Sequence, residues 1–148
     1  MRRAHNQITD PVEMIQILDS STIGRMATID VDGFPYITPV NYVYFQGRIY
    51  FHAALKGEKL DNIAREPKVG FEVDQPLAYI ELAFGNGESP CNMHQFYRSV
   101  VIRGRARIVP SGETKTAALN ALIARHEGPE HPKTSPDLPD YKACVVVE

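Results

Sequence analysis

The stretch GRMATIDVDGFPYITPVNYVYFQGRIYFH, Gly24 to His52, decides the fold. Apolar and polar residues alternate along it with a period of two, and two glycine turns cut it into strands. Arg25-Met26-Ala27-Thr28-Ile29 reads as a strand, Asp32-Gly33 as a tight turn, and Pro35 to Phe45 as its long antiparallel partner. Gln46-Gly47 turns the chain again into Arg48-Ile49-Tyr50-Phe51-His52. Such a meander must bury one face against further structure. Pro39 interrupts the second strand, and a proline there predicts an edge or a bulge, where backbone groups freed from the ladder can meet a ligand.

Upstream, Asp10-Pro11-Val12-Glu13 has the form of a capping box, with Asp10 as N-cap, Pro11 in the first turn and Glu13 reaching back. Met14, Ile15, Ile17 and Leu18 then keep helical spacing to about Asp19. Downstream of His52, the loop Lys56-Gly57-Glu58-Lys59 leads into a helix with Leu60, Ile63 and Ala64 on one face, stopped by Pro67. Val69 to Val73 is a fourth strand. In Val100 to Val109 the alternation puts Val100, Ile102, Gly104, Ala106 and Ile108 on one face and Val101, Arg103, Arg105 and Arg107 on the other. Asp74 to Cys91, with Gly85-Asn86-Gly87 and Pro90, reads as an irregular or partly paired excursion. Glu113 to Arg125 is a helix, Gly128 to Pro139 a proline-rich loop, and Ala143 to Val147 a last strand. Hairpins mixed with isolated helices predict a closed antiparallel barrel carrying helices outside it, in a single domain over residues 1–148.

The chain of 148 residues has 43% hydrophobic and 23% charged residues, the balance of a globular domain, and no apolar run long enough to span a bilayer. Met1-Arg2-Arg3 is basic, yet Ala4, His5, Asn6 and Gln7 supply no apolar signal-peptide core, so a cytoplasmic location is expected. The net charge of −2 gives no field that recruits nucleic acid. Cys91 and Cys144, far apart, read as free thiols. Cys91 and His94, with His126 and His131 downstream, lack the second tight ligand pair of a zinc site, and no metal is expected.

The order Gly24-Arg25-Met26-Ala27-Thr28, Asp32-Gly33-Phe34-Pro35 and Thr38-Pro39-Val40-Asn41-Tyr42 resembles the opening of the pyridoxamine-phosphate-oxidase-like flavoproteins. Ile49-Tyr50-Phe51-His52 followed by Lys56-Gly57-Glu58-Lys59-Leu60, then Tyr97-Arg98-Ser99-Val100 and Gly104-Arg105-Ala106, is similar to the branch named for nitroimidazole resistance. The resemblance runs from about residue 8 to residue 126. It implies a mainly β fold with flanking helices, a six-stranded antiparallel Greek-key split β-barrel that binds FMN at a homodimer interface, and reductase or oxidase chemistry on a small molecule. A C-terminal tryptophan and arginine surround the cofactor in authentic pyridoxamine phosphate oxidases. This chain has no tryptophan, which argues against vitamin B6 synthesis.

Lys56, Gly57 and Lys59 at a helix start offer cations and backbone donors to a flavin phosphate, or else form a solvated helix end. Thr38, Pro39, Val40 and Asn41 lie along the flavin by resemblance, and Pro39 frees backbone there. Arg25 either approaches the cofactor or forms a surface ion pair. His52, at a strand end before the phosphate loop, faces the ring and a substrate or lines the barrel rim; the resistance branch carries its active-site histidine in this motif. Tyr97, Arg98 and Ser99 resemble the segment that reaches the flavin from the neighbouring subunit. Two functions follow as expectations: an FMN-dependent oxidoreductase for a small aromatic or nitro-substituted compound, or a non-catalytic flavin or haem binder with His52 as axial ligand.

Overall fold

Alternation with a period of two makes extended chain, and the segment around Gly24 folds accordingly. In the computed structural model, which describes residues 4–82 and 90–148, β1 (Ile23–Ile29) pairs antiparallel with β2 (Pro35–Phe45), and β2 with β3 (Arg48–Ala54). Gln46 and Gly47 both have positive φ, 50° and 79°, as a two-residue type I′ hairpin requires. Asp30 holds the other turn, its Oδ1 accepting from the N–H groups of Asp32 (2.9 Å) and Phe34 (2.8 Å).

The chain divides into two compact units, Met1–Ser21 with Val73–Val100, and Thr22–Glu72 with Val101–Glu148. In the first, α1 (Pro11–Ser20) starts at Asp10, whose Oδ1 accepts from the Val12 N–H at 2.9 Å. The other half of the expected capping box does not form. Glu13 instead meets Arg98 at 3.0 Å, a charged donor that outbids a backbone N–H. This unit also holds the outer parts of β4 (Lys68–Ile80) and β5 (His94–Arg105). Residues 74–80 of the expected irregular or partly paired excursion continue β4, and Gly85-Asn86-Gly87 lies outside the described residues.

The second unit holds β1 to β3, α2 (Glu58–Arg65), α3 (Glu113–Glu127), α4 (Pro139–Lys142) and β6 (Cys144–Val147). The six-stranded antiparallel sheet has the order β5-β4-β1-β2-β3-β6. β2 belongs to both halves. Its residues 35–41 pair with β1 and its residues 42–45 with β3, in unbroken register from Pro35 to Asn41. Pro39 thus causes no bulge; it sits where β2 has no ladder on its β3 side.

The expected closed barrel is corrected to an open one. The Ala106 N–H still donates to the Pro67 carbonyl (2.8 Å), whereas Arg107 and Glu148 exchange two backbone bonds of 2.9 Å and the Val109 N–H reaches Val146 (2.8 Å). The chain crosses between the sheet's two ends within a few residues, and among the described residues these bonds amount to an isolated bridge, Ile108–Val147, rather than a ladder. This crossing also shifts the alternation, and Val109 rather than Ile108 is buried.

Inside the sheet of this unit, Tyr42 is fully buried and meets Phe71 edge-on at 5.0 Å between ring centroids. On the other face, α3 and α4 cover Val43, Tyr50 and Val146 with Ala118, Leu119, Leu122 and Tyr141. Asn62 of α2 donates to the Thr28 hydroxyl at 3.1 Å, both residues being buried, and the Arg65 guanidinium donates to the Ile29 carbonyl. At the sheet gap, Glu148 accepts from Arg48 (2.8 Å), Arg107 (3.1 Å) and the Tyr50 hydroxyl (3.2 Å). Burial pushes the Glu148 carboxyl up, but the Arg107 hydrogen bond and the charges of Arg107 and Arg48 outweigh it and hold the group below its ordinary value.

The Phe71 ring lies where a side chain on Gly24 would stand: a Cβ there would come within 2.1 Å of its Cζ. Gly24→Ala is expected to destabilise the fold by about 1–3 kcal/mol, and less in a Phe71→Leu background, because the two positions share one volume. Thermal unfolding of the two single variants and the double variant measures this, and an unchanged Tm in Gly24→Ala would refute the close packing. Glu148 makes a second expectation. Its folded-state value lies below the ordinary 4.5, so its stabilisation is complete above that pH and is lost as pH falls through the lowered value. Denaturant titrations between pH 5 and 2 should show a shallower acid loss for Glu148→Gln, and an identical slope would remove Glu148 from the acid response.

Candidate functional site

Alternation along the paired strands sorts the expected site residues onto two faces. Arg25 stands opposite Pro39, and His52 opposite Val146. With Asn41 they share the face that α3 covers further along, while Thr38 and Val40 point to the opposite face with Tyr42. The segment Thr38 to Asn41 therefore does not present one surface. Its shared property is the backbone edge of residues 35–41, which carries no ladder on the β3 side. Arg25 forms an ion pair with Glu72 at 3.1 Å, the surface alternative left open by the sequence.

Lys56, Gly57 and Lys59 follow the end of β3 at the start of α2. Gly57 occupies the N-cap with φ of 150° and no side-chain hydrogen bond to cap the helix, a conformation that excludes a β-carbon. The N–H groups of Leu60 and Asp61 bond back to the Gly57 carbonyl at 2.8 and 3.2 Å. The first helical N–H groups ahead of them are left for solvent or a bound anion. Lys56 is exposed, and the half-buried Lys59 has its ammonium 6.0 Å from the Phe51 ring centroid. Glu58 and Asp61 in the same turn moderate the positive field.

Asn41 and His52 open into a cleft of about 390 Å³ whose other wall is α3 and the chain after it. Lys115, Ala118, Leu119 and Leu122 are the buried stripe of α3, and His126 extends that stripe by one more turn. The His126 Nε2 lies 3.2 Å from the Tyr42 carbonyl. Sequence reading weighed His126 only as a remote zinc ligand; its four-residue spacing from Leu122 is the signal that places it on the sheet. Thr134 closes the wall, its N–H donating to Asn120 Oδ1 at 2.7 Å. The α3 wall is itself anchored from below: the buried Lys115 ammonium donates to the carbonyls of Tyr141 and Cys144, both at 2.7 Å.

Tyr97, Arg98 and Ser99 belong to the first unit. Tyr97 is exposed and Ser99 half-buried, and Arg98 is committed to Glu13 (3.0 Å) and Gln75 (2.9 Å), leaving its Nε buried without a hydrogen bond. Neither Cys91 nor Cys144 is joined in a disulfide among the described residues.

A flavin needs an anion cradle for its phosphate and polar contacts for its ring edge. The residues present fit such a group. In addition to the uncapped start of α2, the Thr38 hydroxyl of β2 is buried with no hydrogen-bond partner, a condition that costs about 1–3 kcal/mol and is uncommon unless a missing partner supplies the bond.

Comparison with known proteins gives the same direction. The family model described as pyridoxamine 5'-phosphate oxidase matches residues 10–147. The 5a,11a-dehydrotetracycline/5a,11a-dehydrooxytetracycline reductase of Streptomyces rimosus subsp. rimosus is 28% identical over 118 residues, 76% of this chain and 74% of that protein. A proposed 5-nitroimidazole antibiotic resistance protein from Bacteroides thetaiotaomicron has a similar structure, with a TM-score of 0.77 at 19% identity over 95% of this chain and 78% of that one. The FAD and heme binding protein from Mycobacterium smegmatis also has a TM-score of 0.77, at 17% identity over 95% of this chain and 65% of its own. At such identities the two structural likenesses carry the fold alone.

Proposed function

The chain belongs to the pyridoxamine 5'-phosphate oxidase family, and from that premise we propose that it binds FMN and reduces a small aromatic or nitro-substituted compound. The observation that carries this reading is the uncapped start of α2, flanked by Lys56 and Lys59, directly after the strand that bears His52. A phosphate there meets backbone donors and two ammonium groups. The reductase name of the Streptomyces relative supports the reaction class. We place the protein in the cytoplasm as a homodimer with FMN at the subunit interface, Tyr97, Arg98 and Ser99 coming from the partner, and one domain over residues 1–148.

When bound, FMN supplies reversible electron transfer to an acceptor. This chain's own residues do the rest. Lys56, Gly57 and Lys59 hold the phosphate, the free edge of residues 35–41 and the Thr38 hydroxyl offer polar contacts, and His52 positions the acceptor or gives it a proton. Among the described residues the His52 ring makes no hydrogen bond, which leaves both nitrogens available. The same freedom favours a second reading, in which His52 would hold the iron of a haem in a non-catalytic binding or sensing protein. Colour separates the two: a two-banded flavin spectrum supports the first, and a single intense Soret band the second.

Lys59→Ala is expected to weaken FMN roughly tenfold or more, the worth of a charge-assisted hydrogen bond, and to leave riboflavin affinity nearly unchanged. Equal losses for both ligands in fluorescence titrations would detach this loop from the phosphate. Sedimentation of the loaded protein checks the assembly, since flavin travelling with a single chain contradicts an interfacial site. His52→Ala is expected to retain FMN with a normal spectrum and to slow reoxidation by a nitroaromatic acceptor by about a hundredfold, as for a lost acid–base group. Unchanged single-turnover reoxidation in fully loaded variant protein would take His52 out of the mechanism.

A further inference from the structure

The cleft beneath α3 has a wall the flavin reading does not use. Asn41 and His52 form one side; Leu119, Leu122, Ile123 and His126 of α3 form the other. We infer that this cleft is the acceptor's subsite and takes a flat, neutral or cationic aromatic ring bearing an N–H or O–H donor, which the His126 Nδ1 receives. The inference rests on the flavin reading for placing the cofactor beside Asn41 and His52.

Three observations carry it. The Tyr42 carbonyl lies beyond the last β1–β2 pair, Ile23 with Asn41, and is met by His126 Nε2 at 3.2 Å. A carbonyl oxygen only accepts, so Nε2 carries the hydrogen, and the neutral ring keeps its lone pair on Nδ1. Among the described residues the ring makes no other hydrogen bond, and it lines the cleft. The α3 side chains Leu119, Leu122 and Ile123 give an apolar wall suited to a ring face, while Glu127 and Asp140 at the rim repel anions. The volume of about 390 Å³ lies at the small end of ligand sites, which run from roughly 300 to 1,000 Å³.

His126 also satisfies a strand carbonyl, and a purely structural role must be separable from binding. His126→Gln does so, because the glutamine amide N–H can still reach the Tyr42 carbonyl while the ring lone pair is gone. The probe is benzimidazole, with benzoate as an anionic ring of similar size. Both are titrated into apoprotein and FMN-loaded protein while the histidine ring protons are followed by NMR. Benzimidazole is expected to shift the His126 and His52 signals in the loaded protein, and benzoate to leave them in place. His126→Gln should keep the wild-type Tm and bind benzimidazole roughly three- to tenfold more weakly, the worth of one hydrogen bond. Unaltered affinity in His126→Gln would overturn the proposal. So would a wild-type His126 signal that does not move at benzimidazole saturation, a measurement that needs no variant to fold. Exclusion of benzimidazole by bound FMN would also overturn it, making the cleft the flavin's own. Failure of the protein to take up FMN at all defeats the flavin reading instead, and titration of apoprotein then still decides whether His126 holds the ring.

Discussion

β2 has to serve two partner strands, and the structure of the second unit is organised around where it passes from one to the other. Its first seven residues pair with β1 and its last four with β3, so the change falls between Asn41 and Tyr42. Tyr42 is consequently fixed from every side. Its N–H donates to the Thr22 carbonyl at 3.4 Å, its carbonyl is met by His126, and its ring is buried edge-on against Phe71. Phe71 in turn reaches over Gly24, the residue of β1 that stands opposite Val40. A side chain at Gly24, or a smaller ring at Tyr42, would be felt along this whole series, because packed interiors transmit volume changes.

A strand that leaves one partner before meeting the next exposes a run of backbone on one edge. In a core that would be a cost; at an open edge, N–H and C=O groups aimed outward are available to water or to a polar group. The unpartnered Thr38 hydroxyl lies in this same run. So do Pro39, which has no N–H to leave unsatisfied, and Asn41, which reaches the cleft.

The far wall of the cleft depends on a buried cation. Lys115 is 5% exposed, its ammonium bonded to two carbonyls and placed 4.4 Å from the Tyr141 ring centroid. Burying a lysine is tolerable only when its donors are met, and here the carbonyls come from the end of α4 and the start of β6. The Tyr141 hydroxyl completes the tie: it accepts from the Gly112 N–H at 2.9 Å and donates to the Gly112 carbonyl at 3.1 Å, just before α3. α3 is thereby held at its N-terminus by charge and hydrogen bonds and along its length by Leu119 and Leu122. That double attachment sets where His126 meets β2.

Local chemistry made much of this legible in the residues alone. The strands from Gly24 to His52, both glycine turns, the Asp10 cap, the helix after Gly57 and the helix from Glu113 all follow from periodicity and turn residues, which act over a few positions. The order of those motifs also carried the family. Other features needed the folded chain, because they depend on residues distant in sequence. Glu13 prefers Arg98 to its own backbone. Residues 106–109 cross the sheet gap instead of continuing a strand. Lys115 turns inward to the carbonyls of Tyr141 and Cys144. His126 shows the difference most plainly: helical spacing after Leu122 could put it on the sheet, but only the meeting of α3 with β2, across 84 positions, decides that its ring fastens to a strand carbonyl and borders the same cleft as His52.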